Sequence, residues 1–335
     1  MDDEGVIVGR GWHEAAGSPH AEVHALRNAG PRARNATLYC TLEPCCHTGR
    51  TGPCAPQIVD AGIRRVVVAI EDPNPLVAGR GIGHLQASGV DVCVGVWRDR
   101  AAQLNRPFFT RMEKGRPFVT VKIALSLDAR VAGRAGARTQ LTGEEANRFV
   151  HRERAEVDAI VVGSGTILAD DPFLTARGIY RSRPLVRVIF DSRLRTPPTA
   201  KVLSTVDVGP VIIVTTASSA PDHERAATAL QRAGARLQVH ATAAGGRPRL
   251  ASAFAQVAAE GVTSVVIEGG PELHRAAWDE QIVDRVQIFV APRTIGSGGV
   301  PWLPLDAFSA GSLADVRTEP IGEDVLIEGY VHRAH

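Results

Sequence analysis

The sequence predicts an α/β fold in two domains, on the evidence of length, composition and hydrophobic pattern. Its 335 residues exceed what one ordinary domain needs. Hydrophobic residues make up 44% and charged residues 22%, which is typical of chains that bury a core. Short apolar runs alternate with helical patterns in both halves. A polar, mostly helical link from Asp99 to Gly115 separates the halves, so we expect domains at residues 1–113 and 114–335.

In the first half, short apolar runs, turn signals and helical patterns follow one another. This alternation predicts an α/β domain with strands of about four to six residues. The segments that carry the pattern are Val6–Val8, Ala21–Ala29, Thr37–Leu42, Pro56–Ala61, Val66–Ile70 and Val92–Val96.

The second half contains β-branched runs with helical patterns between most of them. The predicted strands are Phe118–Ile123, Ala159–Gly163, Val186–Phe190, Val211–Thr215, Ser264–Ile267 and Val286–Val290. Repeated βαβ units predict a mainly parallel sheet that helices cover on both faces. The two halves share no internal repeat, so we expect two different enzymes on one chain.

Charge and composition favour a small-molecule substrate. Lysine plus arginine (38) against aspartate plus glutamate (36) gives a net charge of +2, too balanced for a protein that neutralises many nucleic-acid phosphates. No apolar run approaches the roughly 18 residues of a membrane span. The segment Met1–Glu4 is acidic where a signal peptide is basic. We therefore expect a cytoplasmic protein without a nucleic-acid or membrane partner.

The strongest chemical signal is a group of histidine, glutamate and cysteine residues. Four of the five cysteines lie within residues 40–54, which is a poor disulfide framework and favours a metal site in a reduced compartment. His20 and Glu22 precede Cys45 and Cys54. One imidazole and two thiolates suit a catalytic zinc site that keeps a fourth position for water. Zinc lowers the pKa of that water to roughly 7, and Glu22 can carry its proton to a leaving amine, which predicts hydrolytic deamination.

The spacing of the cysteines leaves alternatives open. Eight residues separate Cys45 from Cys54, where the common deaminase signature has two. Cys46 and His47 lie in that loop and compete as ligands, although a long glycine-rich loop can return Cys54 to the metal. The structural alternative is that His20 and Glu22 only begin a helix and that the cysteines pack in a core.

Three turns in the second half suit a nucleotide cofactor. Glu268 to Pro271 follow a predicted strand with two glycines and a helix start, which lets backbone N–H groups face a phosphate. Asp191–Arg195 offers a hydroxyl and two guanidinium groups for the 2′-phosphate of NADPH. Gly163–Pro172 is a further glycine-rich turn with paired carboxylates. Each of these also has a purely structural explanation, as a tight connection, a solvated turn or a capped helix start.

Taken together, these motifs resemble the bifunctional deaminase/reductases of riboflavin biosynthesis. The similarity runs from about Gly5 to Gly329. It is carried by His20–Leu26, Thr41–Thr51, Pro53-Cys54, Asp72–Pro75, Ala78–Gly81, Lys122–Asp128, Gly163–Pro172, Leu174–Arg177 and Ile267–Pro271. The resemblance implies a cytidine-deaminase-like three-layer α/β/α domain followed by a dihydrofolate-reductase-like α/β domain.

The resemblance also implies activities and site residues. The first domain would deaminate 2,5-diamino-6-(5-phosphoribosylamino)pyrimidin-4(3H)-one, and the second would use NADPH to reduce the ribosyl group of the 5-amino-6-(5-phosphoribosylamino)uracil product to ribityl. Zinc would be bound by His20, Cys45 and Cys54, with Glu22 as the catalytic proton carrier. NADPH would contact Ala124, Gln140, Thr166, Asp170, Ser192, Gly270, Pro271 and Glu272. Substrate would contact Arg138, Arg154, Leu174, Arg177 and Glu268. Family members imply a homo-oligomer.

Several positions depart from the family pattern. Ala129 stands where a glycine is usual, Arg138 where a serine is common, and Thr139-Gln140 where the second residue is usually tryptophan. If the glycine position needs a positive φ, Ala129 costs about 1 kcal/mol. The segment Met1–Glu4 aligns just before the family's second strand, about thirty residues into its pattern, so we expect an exposed sheet edge and a deaminase pocket with a wall missing.

Two other functions remain open from the sequence. One is a reductase whose zinc domain is disabled. The other is a deaminase of nucleic-acid bases with the second half as a recognition module, against which the 5% of aromatic residues and the balanced charge weigh. Release of ammonia from the pyrimidine substrate distinguishes these functions.

Overall fold

The computed structural model describes the chain except residues 16, 50, 137–138, 218–220, 244–245, 303–311 and 332–335. The chain divides into two compact units, Met1–Lys114 and Gly115–His335. Arg138, which we expected to contact substrate, lies outside the described residues. In the part of the chain that is described, no helix is both long and apolar enough to cross a bilayer.

The first unit contains a parallel sheet in the order β1-β2-β3. Its elements are α1 (Ala21–Ala29), a 3-10 turn (Gly30–Ala33), β1 (Thr37–Cys40), α2 (Cys54–Asp60), β2 (Arg65–Val68), α3 (Arg80–Ala87), β3 (Asp91–Val94) and α4 (Arg98–Lys114). Val66, Val67 and Val68 are all buried because β2 is the central strand and both of its faces are covered. β1 lies at the edge of the sheet, and Tyr39 on it is 57% exposed.

Most segments predicted in the first half coincide with α1, β1, α2, β2 and β3 to within a few residues. The segment Val6–Val8 is an exception, because it belongs to no helix or strand. Val6 and Ile7 are exposed and only Val8 packs in the core. A strand needs a neighbour for its backbone hydrogen bonds, and within the described chain no strand pairs with this segment.

The second unit is built on a nine-stranded sheet in the order β13-β14-β11-β4-β10-β6-β7-β8-β9. The strands are β4 (Phe118–Ser126), β5 (Arg130–Ala132), β6 (Ala159–Gly163), β7 (Val186–Phe190), β8 (Val211–Thr216), β9 (Arg236–His240), β10 (Ser264–Ile267), β11 (Arg285–Ala291), β12 (Val300–Pro301), β13 (Leu313–Ile321) and β14 (Asp324–Val331). The helices are α5 (Glu144–Glu156), α6 (Ser164–Asp170), α7 (Pro221–Arg232), α8 (Leu250–Ala259) and α9 (Pro271–Asp279), with a 3-10 turn at Leu203–Thr205.

Seven neighbouring strands of this sheet, from β11 to β9, are parallel, while β14 pairs antiparallel with both β11 and β13. Alternate residues of β6 point to opposite faces. Val161 packs in the same core as Phe254 of α8, whereas Ile160 and Val162 pack in the core that contains Leu230 of α7. The expected parallel sheet with helices on both faces is therefore confirmed. Each such buried side chain contributes about 1.5–3 kcal/mol.

Candidate active sites

The first unit brings one imidazole and two thiols together. His20 is the N-cap of α1, Cys45 lies in the loop after β1, and Cys54 is the first residue of α2. The Nδ1 atom of His20 is 3.4 Å from Sγ of Cys45 and 3.3 Å from Sγ of Cys54. A tetrahedral zinc ion with ordinary Zn–N and Zn–S bonds separates its ligand atoms by roughly 3.6 Å. The three donor atoms therefore fit zinc.

The loop between the two cysteines is closed by hydrogen bonds. The carbonyl of Cys45 accepts the N–H groups of Cys54 and Ala55, both at 3.0 Å. This closure returns the chain to the same point after eight intervening residues. Cys46 and His47, the alternative ligands, are not in the three-residue group that the described chain assembles, although His47 lines the cavity beside it.

The hydrogen bond between Cys45 and Cys54 gives the two thiols different acidities. A hydrogen bond from Cys54 lowers the pKa of Cys45, and that bond together with burial raises the pKa of Cys54. Cys45 is therefore the first of the pair to become a thiolate. The Nε2 atom of His20 lies 3.1 Å from the Thr51 hydroxyl, which fixes the ring so that Nδ1 faces the sulfurs.

Glu22 stands in the first turn of α1, with its Oε2 atom 3.6 Å from Sγ of Cys54. Burial raises the pKa of its carboxyl above the ordinary value. A carboxyl with a raised pKa holds a proton more readily than an ordinary one, which suits a general acid/base that must both accept and donate it.

A cavity of about 260 Å³ opens beside this group. Its lining is His13, Gly17, His20, Cys45, His47, Gly49 and Thr51. Most of these residues carry polar side chains, so the cavity suits a polar heterocycle next to the zinc ligands.

In the second unit, several residues expected to contact NADPH lie near the ends of neighbouring parallel strands or in the elements that follow them. Ala124 is near the end of β4, Thr166 and Asp170 are on α6 directly after β6, and Ser192 follows β7. Glu268 follows β10, which lies between β4 and β6. Parallel strands end at a common edge, and α/β sheets bind ligands in the crevice outside the carboxyl ends of their strands.

The start of α9 is the second expected contact with the cofactor. Gly270 is its N-cap with extended backbone, Pro271 occupies its first turn, and Glu272 forms an exposed ion pair with Arg247 at 2.9 Å. Free N–H groups at a helix start suit a phosphate. Gln140 is exposed and donates to the carbonyl of Thr142 at 3.0 Å.

A second cavity, of about 560 Å³, lies where β7 and β8 end. Its lining is Ser192, Arg193, Leu194, Thr216, Ala217, Asp222, His223 and Ala226. The buried carboxylate of Asp191 accepts both the N–H and the hydroxyl of Thr196 at 2.7 Å, which shapes the turn. Of the two guanidinium groups predicted for the 2′-phosphate, Arg193 lines the cavity and Arg195 donates to the Ser164 hydroxyl at 2.9 Å.

Arg154 and Glu268, both expected at the substrate, form a buried ion pair. Two guanidinium nitrogens of Arg154 donate to the carboxylate at 2.8 and 2.7 Å, and a third donates to the carbonyl of Thr175 at 3.2 Å. Burial alone raises the pKa of Glu268, but Arg154 brings it down to about 2. Arg154 is thus committed to Glu268 and to the loop that carries Arg177.

That loop has strained backbone. Leu174 is buried at φ +53° and Asp171 has φ +40°, a region that side-chain-bearing residues rarely adopt. The N–H of Arg177 donates to Nδ1 of His151 at 3.2 Å. The same conformation occurs at Ala129, whose φ of +56° confirms the positive φ that we considered for this glycine position of the family.

Lys122 was not among the site residues predicted from the sequence. Burial lowers the pKa of its ammonium, while Glu268 and Glu153 act in the opposite direction. The sequence of β4 could have pointed to Lys122, because a lysine interrupts an apolar run there. Val119, Val121 and Ile123 of this run are buried.

Comparisons with known proteins agree with this organisation. A family model described as the cytidine and deoxycytidylate deaminase zinc-binding region matches residues 1–70, and one described as the RibD C-terminal domain matches residues 117–327. The riboflavin biosynthesis protein RibD of Aquifex aeolicus is 38% identical over 97% of this chain and 88% of its own length. Acinetobacter baumannii RibD superposes with a TM-score of 0.82 at 32% identity, covering 97% of this chain and 89% of that one.

A solved structure from Thermotoga maritima is similar over almost the whole chain. It has a TM-score of 0.83 at 28% identity and covers 99% of this chain and 90% of that one. That protein is described as a diaminohydroxyphosphoribosylaminopyrimidine deaminase and 5-amino-6-(5-phosphoribosylamino)uracil reductase. The similarity thus extends across both units of the fold.

Proposed function

The chain belongs to the RibD family of bifunctional deaminase/reductases of riboflavin biosynthesis, and we propose from its geometry which residues perform each reaction. Residues 1–113 carry a zinc-dependent deaminase that acts on 2,5-diamino-6-(5-phosphoribosylamino)pyrimidin-4(3H)-one. Residues 114–335 carry a reductase that converts the ribosyl group of the 5-amino-6-(5-phosphoribosylamino)uracil product to ribityl. The His20, Cys45 and Cys54 cluster beside half-buried Glu22 is the observation that carries this proposal.

In the deaminase, His20, Cys45 and Cys54 hold the metal and Glu22 moves the proton. Zinc, when bound, supplies the Lewis acidity that makes water a nucleophile at neutral pH. The raised pKa of Glu22 lets its carboxylate take a proton from the attacking water and return it to the departing amino group. The Thr51 hydroxyl holds the His20 ring in place through these steps.

In the reductase, NADPH when bound would supply the hydride that reduces C1 of the ribosyl group. The chain's residues bind and orient the two reactants. Ala124, Thr166, Asp170 and Ser192 would contact NADPH near the carboxyl ends of the strands, and the backbone N–H groups of Gly270 and Glu272 at the start of α9 would face a phosphate of the cofactor. Gln140 contributes a further polar contact with the cofactor.

Substrate is held from the other side by the loop after α6. Leu174 gives an apolar contact, Arg177 offers a guanidinium to the ribose phosphate, and Glu268 faces the sugar. Arg154 keeps the Glu268 carboxylate ionised and in place. Asp170 assists proton delivery during hydride transfer.

The two activities on one chain allow a clean test of the deaminase assignment. Glu22→Gln keeps the size of the side chain and removes its proton carrier, so ammonia release is expected to fall at least about 100-fold. NADPH oxidation with the deaminated product stays at the wild-type rate, and zinc content stays at the wild-type level. The control is Glu4→Gln, the same change at an exposed carboxylate of the same unit. Wild-type ammonia release by Glu22→Gln would refute the assignment.

The partners and location follow from the same proposal. The substrates are small phosphorylated pyrimidines, so nucleic acid and membrane are not partners. All five cysteines are free thiols, which suits the reducing cytoplasm. The family resemblance favours a homo-oligomer, which light scattering of the purified chain measures directly.

A further inference from the structure

The buried carboxylate of Glu43 lies two residues before the zinc ligand Cys45 and takes no part in the chemistry described so far. It is only 3% exposed. Its Oε2 atom accepts the N–H groups of Asp72 at 3.2 Å and Gly79 at 2.9 Å. Its Oε1 atom accepts those of Gly81 at 2.9 Å and Ile82 at 3.1 Å.

These four N–H groups belong to one segment, residues 72–82, which we call the Glu43-bound segment. It comprises the loop after β2 and the first turn of α3. Among the residues described, no ion pair to Glu43 is seen, so its charge is met by backbone N–H groups and by the positive end of α3. The Glu43 carboxylate thus takes the place of backbone carbonyl groups as the acceptor for these N–H groups.

The Glu43-bound segment touches the zinc ligands directly. Val77, at its centre, is 1% exposed and packs in one cluster with Cys45, Cys54 and Val23. Asp72 accepts the N–H of Asn74 at 2.8 Å, which fixes the turn that leads to Val77. Val77 is therefore the apolar residue behind both thiols, and its position depends on the hydrogen bonds between Glu43 and this segment.

A second contact joins the segment to the ligand loop. A Cβ atom at Gly81 would lie 1.9 Å from the carbonyl oxygen of Pro44, the residue between Glu43 and Cys45. The backbone of α3 therefore rests against the peptide that carries the ligand. Gly83, two residues later, has open space at its Cβ position.

We propose that Glu43 is a positioning residue of the deaminase site, which sets the two cysteine ligands by holding the Glu43-bound segment against them. This role rests on the proposed zinc deaminase. It explains why a carboxylate, with four acceptor directions, is placed here: an amide or hydroxyl cannot accept four N–H groups.

Two variants test whether the Glu43-bound segment positions the cysteine ligands, one by changing Glu43 and the other by changing the segment. Glu43→Gln replaces one acceptor oxygen with an amino group that faces N–H donors. Gly81→Ala pushes against Pro44, and its matched control is Gly83→Ala, the same substitution in the same helix without the contact. A shift of ligands by about 1 Å lowers catalytic rates by roughly 100-fold. We expect kcat for ammonia release to fall at least about tenfold in Glu43→Gln and Gly81→Ala, and to stay unchanged in Gly83→Ala.

Three further readouts separate positioning from folding and from the proposed function. Zinc transfer to a chelator becomes at least about tenfold faster in both variants. The amide hydrogens of Gly79, Gly81 and Ile82 exchange faster with solvent. NADPH oxidation and the protection of β2 amides from exchange stay at wild-type values. If the wild-type chain released no ammonia, the proposed deaminase would fail, and zinc transfer and exchange would still decide the role of Glu43.

Zinc transfer at the wild-type rate in Glu43→Gln, or equal behaviour of Gly81→Ala and Gly83→Ala, would overturn the proposal. If Glu43→Gln abolishes protection throughout the first unit, the glycine pair decides. A selective effect of Gly81→Ala supports positioning, and no difference between the glycine variants assigns Glu43 to fold stability alone.

Discussion

Removing the guanidinium of Arg154 leaves the carboxylate of Glu268 buried without its partner. The two side chains are 15% and 10% exposed and are joined by bonds of 2.8 and 2.7 Å. Arg154 brings the pKa of Glu268 from the ordinary 4.5 to about 2 against the effect of burial. At 1.36 kcal/mol per pKa unit, this corresponds to about 3 kcal/mol, within the roughly 3–5 kcal/mol lost when one partner of a buried pair is removed.

We therefore predict that Arg154→Met destabilises the second unit by about 3 kcal/mol at pH 7. For a domain of this size, that loss lowers the melting temperature by about 6–12 °C. Thermal unfolding followed by circular dichroism measures it. NADPH oxidation falls as well, because Glu268 loses its fixed position. The double variant Arg154→Met/Glu268→Gln regains part of the stability, since no unpaired charge is then buried.

The loss of stability in Arg154→Met should depend on pH in a defined direction. The pKa of Glu268 is lower in the folded chain, so its contribution is present in full above the unfolded value of about 4.5 and is lost as the pH falls towards 2. In Arg154→Met, burial without the guanidinium raises the pKa of Glu268 above its unfolded value, so the variant loses stability as the pH rises above about 4.5. The stability difference between wild type and Arg154→Met is therefore largest at neutral pH and narrows as the pH falls to about 4.5 and below. A difference under about 1 kcal/mol at pH 7, or one that does not narrow in acid, would refute the reasoning.

Three further changes test other parts of the account. Cys54→Ser removes a thiolate ligand, so zinc content measured by atomic emission falls towards zero and ammonia release is lost, while NADPH oxidation persists. Asp170→Asn lowers reductase kcat more than it weakens NADPH binding measured by titration; equal losses would indicate a binding role. Ala129→Gly relieves a φ of +56° and raises the free energy of unfolding by up to about 1 kcal/mol, part of which the added flexibility of the unfolded chain offsets. A destabilised Ala129→Gly would contradict this.

The zinc cluster was predictable from sequence because its residues sit at the ends of short local elements. His20 starts a helix and Cys54 starts another, so the motif alone places both at chain turns. The length of the loop between Cys45 and Cys54 left the third ligand open. The loop is closed by backbone hydrogen bonds to the carbonyl of Cys45, and a pattern of side chains does not reveal such bonds.

The strands that the sequence missed carry weak periodic signals. β13 lies at the sheet edge and is largely exposed, with polar residues and Pro320 along it, so no apolar alternation marks it. β9, the opposite edge, is likewise half polar. α3 contains Gly81 and Gly83, which disfavour helix, and its start depends on the distant carboxylate of Glu43.

The central claim is that one chain carries a zinc deaminase and an NADPH-dependent reductase. The most direct test measures zinc content, ammonia release from the diaminopyrimidinone and NADPH oxidation with the deaminated product on the same purified chain. The account predicts about one zinc per chain and both activities. Zinc and NADPH oxidation without ammonia release would make the chain a reductase with a disabled deaminase domain, and the absence of both activities would contradict the account.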